Sequence, residues 1–157
     1  MSRPLAMSAL GALMIAALIA GVMLFSASPA ANAQTVTVHK TPWCGCCAAW
    51  VDHLHDEGFY VIVKEEGDLT PIRSRLGVRD ELMSCHTAEV DGYVVEGHVP
   101  AREIRRLLEE KPDVNGVSVP GMPQGSPGME TPNAPDRYDV IIFSGEDART
   151  YASYRGT

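Results

Sequence analysis

Three of the four cysteines are crowded into four residues, at Cys44, Cys46 and Cys47, and the fourth is Cys85. Cys44 and Cys47 form a Cys-x-x-Cys pair, and residues three apart on a helix share one face. Because a helix N-terminus favours thiolate over thiol, we expect lowered thiol pKa values at this pair. Reactive thiols of this kind serve either disulfide exchange or metal binding, and the pair alone does not decide between them.

Cys46 favours metal binding. A thiol–disulfide oxidoreductase needs only two cysteines, and a third thiol between them would promote disulfide scrambling. On a helix the side chains of Cys46 and Cys47 point about 100° apart, which hinders the binding of one ion by all three sulfurs. Thiolates that bridge several ions resolve this difficulty, and soft thiolates favour Cu(I), zinc or iron–sulfur clusters. By charge alone, the thiolates of all four cysteines, with Cys85 included, could neutralise about four Cu(I) ions.

The remaining candidate ligands lie farther along the chain. Cys85 would add a fourth sulfur, although free cysteines are also often buried structural residues. The thioethers of Met122 and Met129 are soft ligands that suit Cu(I), or else they fill gaps in the core. His86 and His98 are either ligands, hydrogen-bond partners of ligands or packed residues. We favour the packed role for both histidines, with His86 the better ligand candidate.

The first elements that must position these residues are two strands and a helix. Alternating β-branched and polar residues predict a strand at Thr35–Lys40. Apolar residues at helical spacing predict a helix that begins at Cys44 and is stopped by Gly58. Residues 59–64 are apolar and β-branched, and they predict a second strand that is largely buried.

The following segment predicts a hairpin and two more helices. A short helix ending at Gly77 precedes two strand-like runs around Asp91-Gly92, the strongest hairpin signal in the chain. Another helix is predicted at Ala101–Glu110. The order β-α-β-α-β-β-α predicts an α/β, thioredoxin-like fold with a mixed sheet, in which the first two strands are parallel and the hairpin is antiparallel beside them. Cys85 then begins the third strand and faces the cysteines of the first helix.

The last part of the chain predicts a long loop and a C-terminal β-hairpin. Residues 111–135 are rich in proline and glycine, which predicts a loop without helix or sheet. This loop carries Met122 and Met129 and could close over the cysteines. Residues 138–143 and 149–154 predict two strands joined through a turn.

The N-terminus predicts export. An apolar run at residues 10–25 follows a positive charge, and Ala31-x-Ala33 offers the small residues that a signal peptidase recognises. We expect a signal peptide at residues 1–33 and a periplasmic, thioredoxin-like copper-binding domain at residues 34–157. The alternative is an uncleaved anchor, but the run is short for a spanning helix. We therefore expect no membrane attachment after cleavage.

Four blocks of the sequence resemble the bacterial periplasmic metal-binding family of CopG type, which is linked to copper resistance. The blocks are Thr41-Pro42-Trp43-Cys44-Gly45-Cys46-Cys47, Ser84-Cys85-His86-Thr87-Ala88, Glu96-Gly97-His98-Val99-Pro100 and residues 119–130. The resemblance implies a thioredoxin-like fold and a cysteine-bridged, multinuclear copper site. It implies that the copper ligands are Cys44, Cys46, Cys47 and Cys85. We extend this ligand set to Met122 and Met129.

We therefore expect a copper-binding protein of copper resistance rather than a conventional enzyme. It would bind several Cu(I) ions, which could be redox-active, and exchange them with other periplasmic copper-handling proteins. The net charge of −7 excludes nucleic acid as a partner. One alternative is a periplasmic thiol–disulfide oxidoreductase that uses Cys44 and Cys47, and another is a zinc- or disulfide-stabilised interaction domain. If both chemistries occur, oxidation of the thiols would release copper.

Overall fold

The structure is a computed structural model that describes residues 34–155, so the predicted signal peptide lies outside the described residues. Within this range the chain forms three α-helices, which are α1 at Gly45–Asp56, α2 at Thr70–Leu76 and α3 at Ala101–Glu110. The strands are β1 at Thr35–Lys40, β2 at Tyr60–Glu65, β3 at Thr87–Val90, β4 at Tyr93–Glu96, β5 at Gly116–Ser118, β6 at Tyr138–Ser144 and β7 at Asp147–Tyr154. Helices long and apolar enough to cross a membrane are absent from the described range.

The strands form one mixed sheet in the order β2-β1-β3-β4-β5-β6-β7. β1 is parallel to β2 and antiparallel to β3, and the β3–β4 hairpin turns at Asp91 and Gly92 as predicted. β6 and β7 pair as an antiparallel hairpin at the far edge of the sheet. The thioredoxin-like order and the C-terminal hairpin predicted from the sequence are therefore confirmed.

The prediction that the second strand is largely buried is wrong. β2 is an edge strand, and its side chains Tyr60, Ile62 and Val63 are 59%, 41% and 44% exposed. Val61 is the member that packs against the main core. β-Branched residues suit an extended backbone whether or not they are buried, so the composition indicated the strand but not its depth.

The prediction that residues 111–135 contain no sheet is also wrong. β5 lies within this segment, pairs in parallel with β4 and antiparallel with β6, and is fully buried. Gly116 is required there because a Cβ at this position would collide with the Val94 carbonyl of β4. A strand of three residues is too short to show a periodic hydrophobic pattern, so proline and glycine around it masked the strand.

The core lies between the sheet and helices α1 and α3. Trp50 and Leu54 of α1 and Ile104 and Leu107 of α3 are completely buried in one cluster. The opposite face of α3 is also covered in part, because arginine side chains stack on the tyrosines of the C-terminal hairpin. The guanidinium of Arg102 lies 4.5 Å from the Tyr154 ring, and that of Arg106 lies 4.0 Å from the Tyr151 ring. This stacking attaches the C-terminal hairpin to the thioredoxin-like part.

His53 ties α1 to the start of α3. Its Nε2 accepts a hydrogen bond from the Ala101 backbone N–H at 3.2 Å, which satisfies one of the free donors of the helix N-terminus. We predict that His53→Ala lowers the free energy of unfolding by about 1 kcal/mol, the usual cost of losing a helix cap. Urea denaturation measures the change, and His55→Ala is the control because His55 is exposed on the same helix. Equal stability of both variants would contradict the capping role.

Candidate metal centre

The cysteine motif sits where β1 leads into α1. The Cys44 N–H donates to the Thr41 carbonyl at 3.1 Å, and this tight turn makes Cys44 the residue that precedes the first helical turn. Cys44 and Cys47 are joined in a disulfide, with their Cα atoms 5.4 Å apart. The other two cysteines, Cys46 and Cys85, are free. Because Cys44 and Cys47 carry no thiol in this form, their lowered pKa values stay a prediction.

The structure brings all four sulfurs together. Cys46 Sγ lies 3.6 Å from Cys44 Sγ and 4.0 Å from Cys85 Sγ. The four sulfur atoms all lie within 4.8 Å of one another. Cys85 reaches this position because the segment before β3 runs beside the start of α1, where Cys47 Sγ contacts the Cys85 carbonyl at 3.8 Å. The juxtaposition expected from the fold is therefore present.

Two histidines complete a second group around Cys85. His98 Nε2 lies 2.9 Å from Cys85 Sγ, and His86 Nδ1 lies 3.3 Å from the same sulfur. His98 Nδ1 lies 2.7 Å from the Pro127 carbonyl, which can only accept, so Nδ1 carries the proton. In the neutral ring Nε2 then directs its lone pair at the sulfur. Both rings are completely buried.

Burial sets the protonation of this second group. Desolvation raises the pKa of Cys85 to about 12, and the neighbouring Cys46 adds to the rise. Desolvation also lowers the pKa of His86 well below its usual range, and it lowers the pKa of His98. At neutral pH Cys85 is therefore a thiol beside two neutral imidazoles, which is the form in which histidine binds metals.

A buried ion pair holds the Cys85 segment in place. Glu96 is completely buried, and its Oε1 lies 2.9 Å from Arg73 Nη2 of helix α2. The same carboxylate accepts the Ser84 N–H at 2.8 Å and the Thr87 hydroxyl at 2.6 Å. Arg73 also donates to the Ser84 carbonyl at 2.5 Å. Residues on both sides of Cys85 are thus hydrogen-bonded to the Glu96–Arg73 ion pair. Burial raises the pKa of the Glu96 carboxyl.

The segment between β5 and β6, residues 119–137, carries Met122 and Met129 and is called the methionine loop. It approaches the cysteines at two glycines. Gly121 and Ser84 form an isolated parallel β-bridge. Met122 comes directly after Gly121 and Cys85 directly after Ser84, and the two segments run in the same direction. Gly128 packs on the N-terminal half of α1, where a Cβ would lie 2.7 Å from the Trp50 N and 2.9 Å from the Cys46 carbonyl oxygen. Met129 follows it directly. The loop therefore lies against both cysteine segments, while Met122 itself is 53% exposed.

The two histidines differ in their contacts to Cys85. The sequence favours His86 as the ligand candidate, whereas in the structure His98 makes the shorter contact to Cys85 and has its tautomer fixed by Pro127. Glu96 and Arg73 were not identified as site residues at all. The available signal was the carboxylate at the end of the apolar run of β4, since buried acids are rare unless they are paired.

Two solved structures are similar to this chain, and both are forms of the copper resistance protein CopG. One is 43% identical in sequence and aligns over 79% of this chain and 100% of the other, with a TM-score of 0.75. The second is 44% identical and aligns over 80% and 100%, also with a TM-score of 0.75. The family described as "Protein of unknown function, DUF411" matches residues 82–129. Curated proteins yield no significant match. With this identity over the whole of both structures, the resemblance is confirmed, and the chain belongs to the family of the copper resistance protein CopG.

Proposed function

We propose that this chain is a copper-binding resistance protein that binds several Cu(I) ions in a cysteine-bridged cluster. The observation that carries the proposal is the convergence of Cys44, Cys46, Cys47 and Cys85, whose sulfurs lie within 4.8 Å of one another. A group of four thiolates with no carboxylate ligand suits a soft cation such as Cu(I). The similar structures, which are named for copper resistance, support copper rather than zinc as the bound ion.

The sulfur spacing fits ions that bridge pairs of sulfurs. With metal–sulfur bonds near 2.3 Å, an ion between two thiolates holds them about 3.8 Å apart in tetrahedral geometry and about 4.6 Å apart in linear geometry. The distances from Cys46 to Cys44 and Cys85, 3.6 and 4.0 Å, lie near the first value. These distances support the proposal that Cys46 shares ions with two neighbouring sulfurs.

Full occupation of this site requires the reduced protein. The Cys44–Cys47 disulfide must take up two electrons and two protons to become two thiols, and each thiol that binds Cu(I) then releases its proton. Oxidation of the pair to the disulfide removes two of the four ligands and would release copper. Loading of the cluster is therefore linked to the redox state of this pair.

Met122 and Met129 are proposed as further ligands. Each follows a glycine that packs against a cysteine segment, Gly121 beside Ser84 and Gly128 on α1. Thioethers are neutral soft donors, so they add coordination without adding negative charge. We further propose that residues 1–33 direct export to the periplasm and are removed, and that other periplasmic copper-handling proteins exchange copper with the site.

The test is copper content under anaerobic, reducing conditions. We expect the wild type to retain several Cu(I) per chain, about four by charge balance, with all its thiols protected from alkylation. Cys46→Ser should lose at least half of this copper, because it removes the bridging sulfur. Met122→Leu and Met129→Leu should weaken binding by about tenfold. Met83→Leu is the matched control, because Met83 packs against a hydrophobic cluster that is separate from the main core. Circular dichroism checks that each variant folds.

The disulfide supports one alternative, a thiol–disulfide oxidoreductase that uses Cys44 and Cys47. This function needs neither Cys46 nor Cys85. A wild type that retains no stable copper, together with a Cys46→Ser protein that still oxidises or reduces dithiol substrates, would replace the copper proposal with this alternative. Retention of several Cu(I) by the wild type, with no turnover of dithiols, would exclude the alternative.

A further inference from the structure

The outer side of β2 is an unpaired edge of the sheet among residues 34–155. Tyr60 and Ile62 are exposed on one face of this strand and Val63 on the other, so apolar surface is open to solvent on both faces. Flat edge strands with exposed apolar side chains pair readily with another chain. We propose that β2 pairs in antiparallel orientation with β2 of a second copy of this protein, which forms a symmetric dimer.

The backbone of β2 offers hydrogen-bonding groups on this outer side. The Tyr60 N–H donates to the Gln34 carbonyl at 3.1 Å, and the Glu66 N–H donates to the Lys40 carbonyl at 2.9 Å. The even-numbered residues of β2 therefore direct their backbone groups at β1. Because hydrogen bonding alternates along a strand, the odd-numbered residues direct their N–H and C=O groups away from β1, where a partner strand can bind them.

The other edge of the sheet is protected in a way that β2 is not. β7 pairs with β6 through an irregular register next to Ile141, and it carries the exposed charges of Asp147 and Arg149. Bulges and charges are two of the devices that keep edge strands from pairing. β2 follows a regular register along β1, and residues 60–63 carry no charge. The contrast favours pairing at β2.

The sequence of β2 complements itself when Ile62 lies on the two-fold axis. Val61 of one copy is then opposite Val63 of the other, and their outward backbone groups exchange both hydrogen bonds. The two Ile62 side chains meet at the axis, and Tyr60 lies opposite Lys64, so no like charges face each other. A register shifted by two residues in either direction would place apolar residues opposite charges or leave part of the strand unpaired.

Charges at the ends of the paired strands also favour a second copy as the partner. In this register the exposed Glu65 of one copy lies opposite Phe59 of the other, the residue directly before β2. The Arg105 guanidinium lies 5.3 Å from the centroid of the Phe59 ring. It pairs with Glu57 at 2.7 Å and has further N–H donors for a second carboxylate. Complementarity of this kind helps to fix the register.

The test is sedimentation equilibrium of the purified protein over a range of concentrations. We expect a monomer–dimer equilibrium with a dissociation constant in the micromolar range, because one pair of strands is a small interface. A non-reducing gel checks that no disulfide joins the copies. Ile62→Lys and Ile62→Glu should each raise the dissociation constant by at least about tenfold, because like charges then meet at the axis.

A mixture of the two variants tests both the partner and the register. Equal amounts of Ile62→Lys and Ile62→Glu should dimerise again, since opposite charges then face each other. Val63→Pro should prevent dimerisation without unfolding the chain, because the Val63 N–H points away from β1. Circular dichroism checks the fold. Ala148→Lys is the control, because it places the same charge on an exposed residue of β7.

Three results would overturn the inference. They are a wild type that stays monomeric, a dimer that Ile62→Lys leaves intact, and monomeric single variants whose mixture does not dimerise. The last result would indicate a different contact between the copies. The measurement needs no copper, so its failure and failure of the proposed copper function are separate outcomes.

Discussion

Glu96→Ala should lower the free energy of unfolding by about 3–5 kcal/mol. The change leaves Arg73, whose side chain is only 13% exposed, without its counter-ion, and breaking a buried ion pair carries this cost. It also removes the acceptor of the Ser84 N–H and the Thr87 hydroxyl, and buried donors without partners add to the loss. Urea denaturation at neutral pH measures the effect.

A double-mutant cycle separates the ion pair from its surroundings. Arg73→Met should also be strongly destabilising, but Glu96→Ala with Arg73→Met should cost clearly less than the two single changes added together. Glu57→Gln is the comparison, because Glu57 pairs with Arg105 on the surface and should change stability little. Simple additivity, or a loss below about 1 kcal/mol in Glu96→Ala, would show that the pair does not hold the Cys85 segment.

Gly128→Ala should detach the methionine loop from the cysteine helix. Gly128 has φ +81°, and a Cβ there would meet the Trp50 N at 2.7 Å and the Cys46 carbonyl oxygen at 2.9 Å. Backbone strain and the collision together should cost about 2–4 kcal/mol unless the turn lifts away. Lifting would break the hydrogen bond between His98 and Pro127. We expect faster proteolysis within residues 121–135 and at least tenfold weaker Cu(I) binding.

Gly145→Ala provides the control for backbone strain. Gly145 has φ +54° in the β6–β7 turn, and no described atom lies within 4 Å of a Cβ built on it. In this variant only the left-handed backbone is unfavourable, so the free energy of unfolding should fall by about 1 kcal/mol. Copper binding and proteolysis of the methionine loop should stay unchanged. If Gly128→Ala behaved like Gly145→Ala in all three measurements, the packing of the loop on α1 would not matter for the site.

The sequence predicted the elements that follow from local patterns. The Asp91-Gly92 turn, the helix Ala101–Glu110 and the C-terminal hairpin occur as predicted because turn chemistry and hydrophobic spacing act over a few residues. The neighbourhood of Cys85 and the α1 cysteines was also predictable, since it follows from the order of strands and helices rather than from side-chain detail.

Features that depend on long-range packing were not predictable. The exposure of β2 follows from its place at the edge of the sheet, and β5 forms only because β4 and β6 lie on either side of it. The Glu96–Arg73 pair joins β4 to α2 across 23 residues of sequence. His98 is tied to Pro127 in the loop, a contact that no short pattern reveals. In each case the partner comes from a distant part of the chain.

The glycines that anchor the methionine loop also have an entropic consequence. Fixing the backbone of one residue costs about 1–2 kcal/mol, so ordering a free loop around an ion would consume much of the binding free energy. The bridge of Gly121 to Ser84 and the packing of Gly128 on α1 are contacts within the protein, so they order the segment between them without using a metal ligand. The entropic cost of ordering this loop therefore lowers the free energy of folding rather than the free energy of ion binding. An ion that binds meets preorganised neighbours and does not have to immobilise the loop.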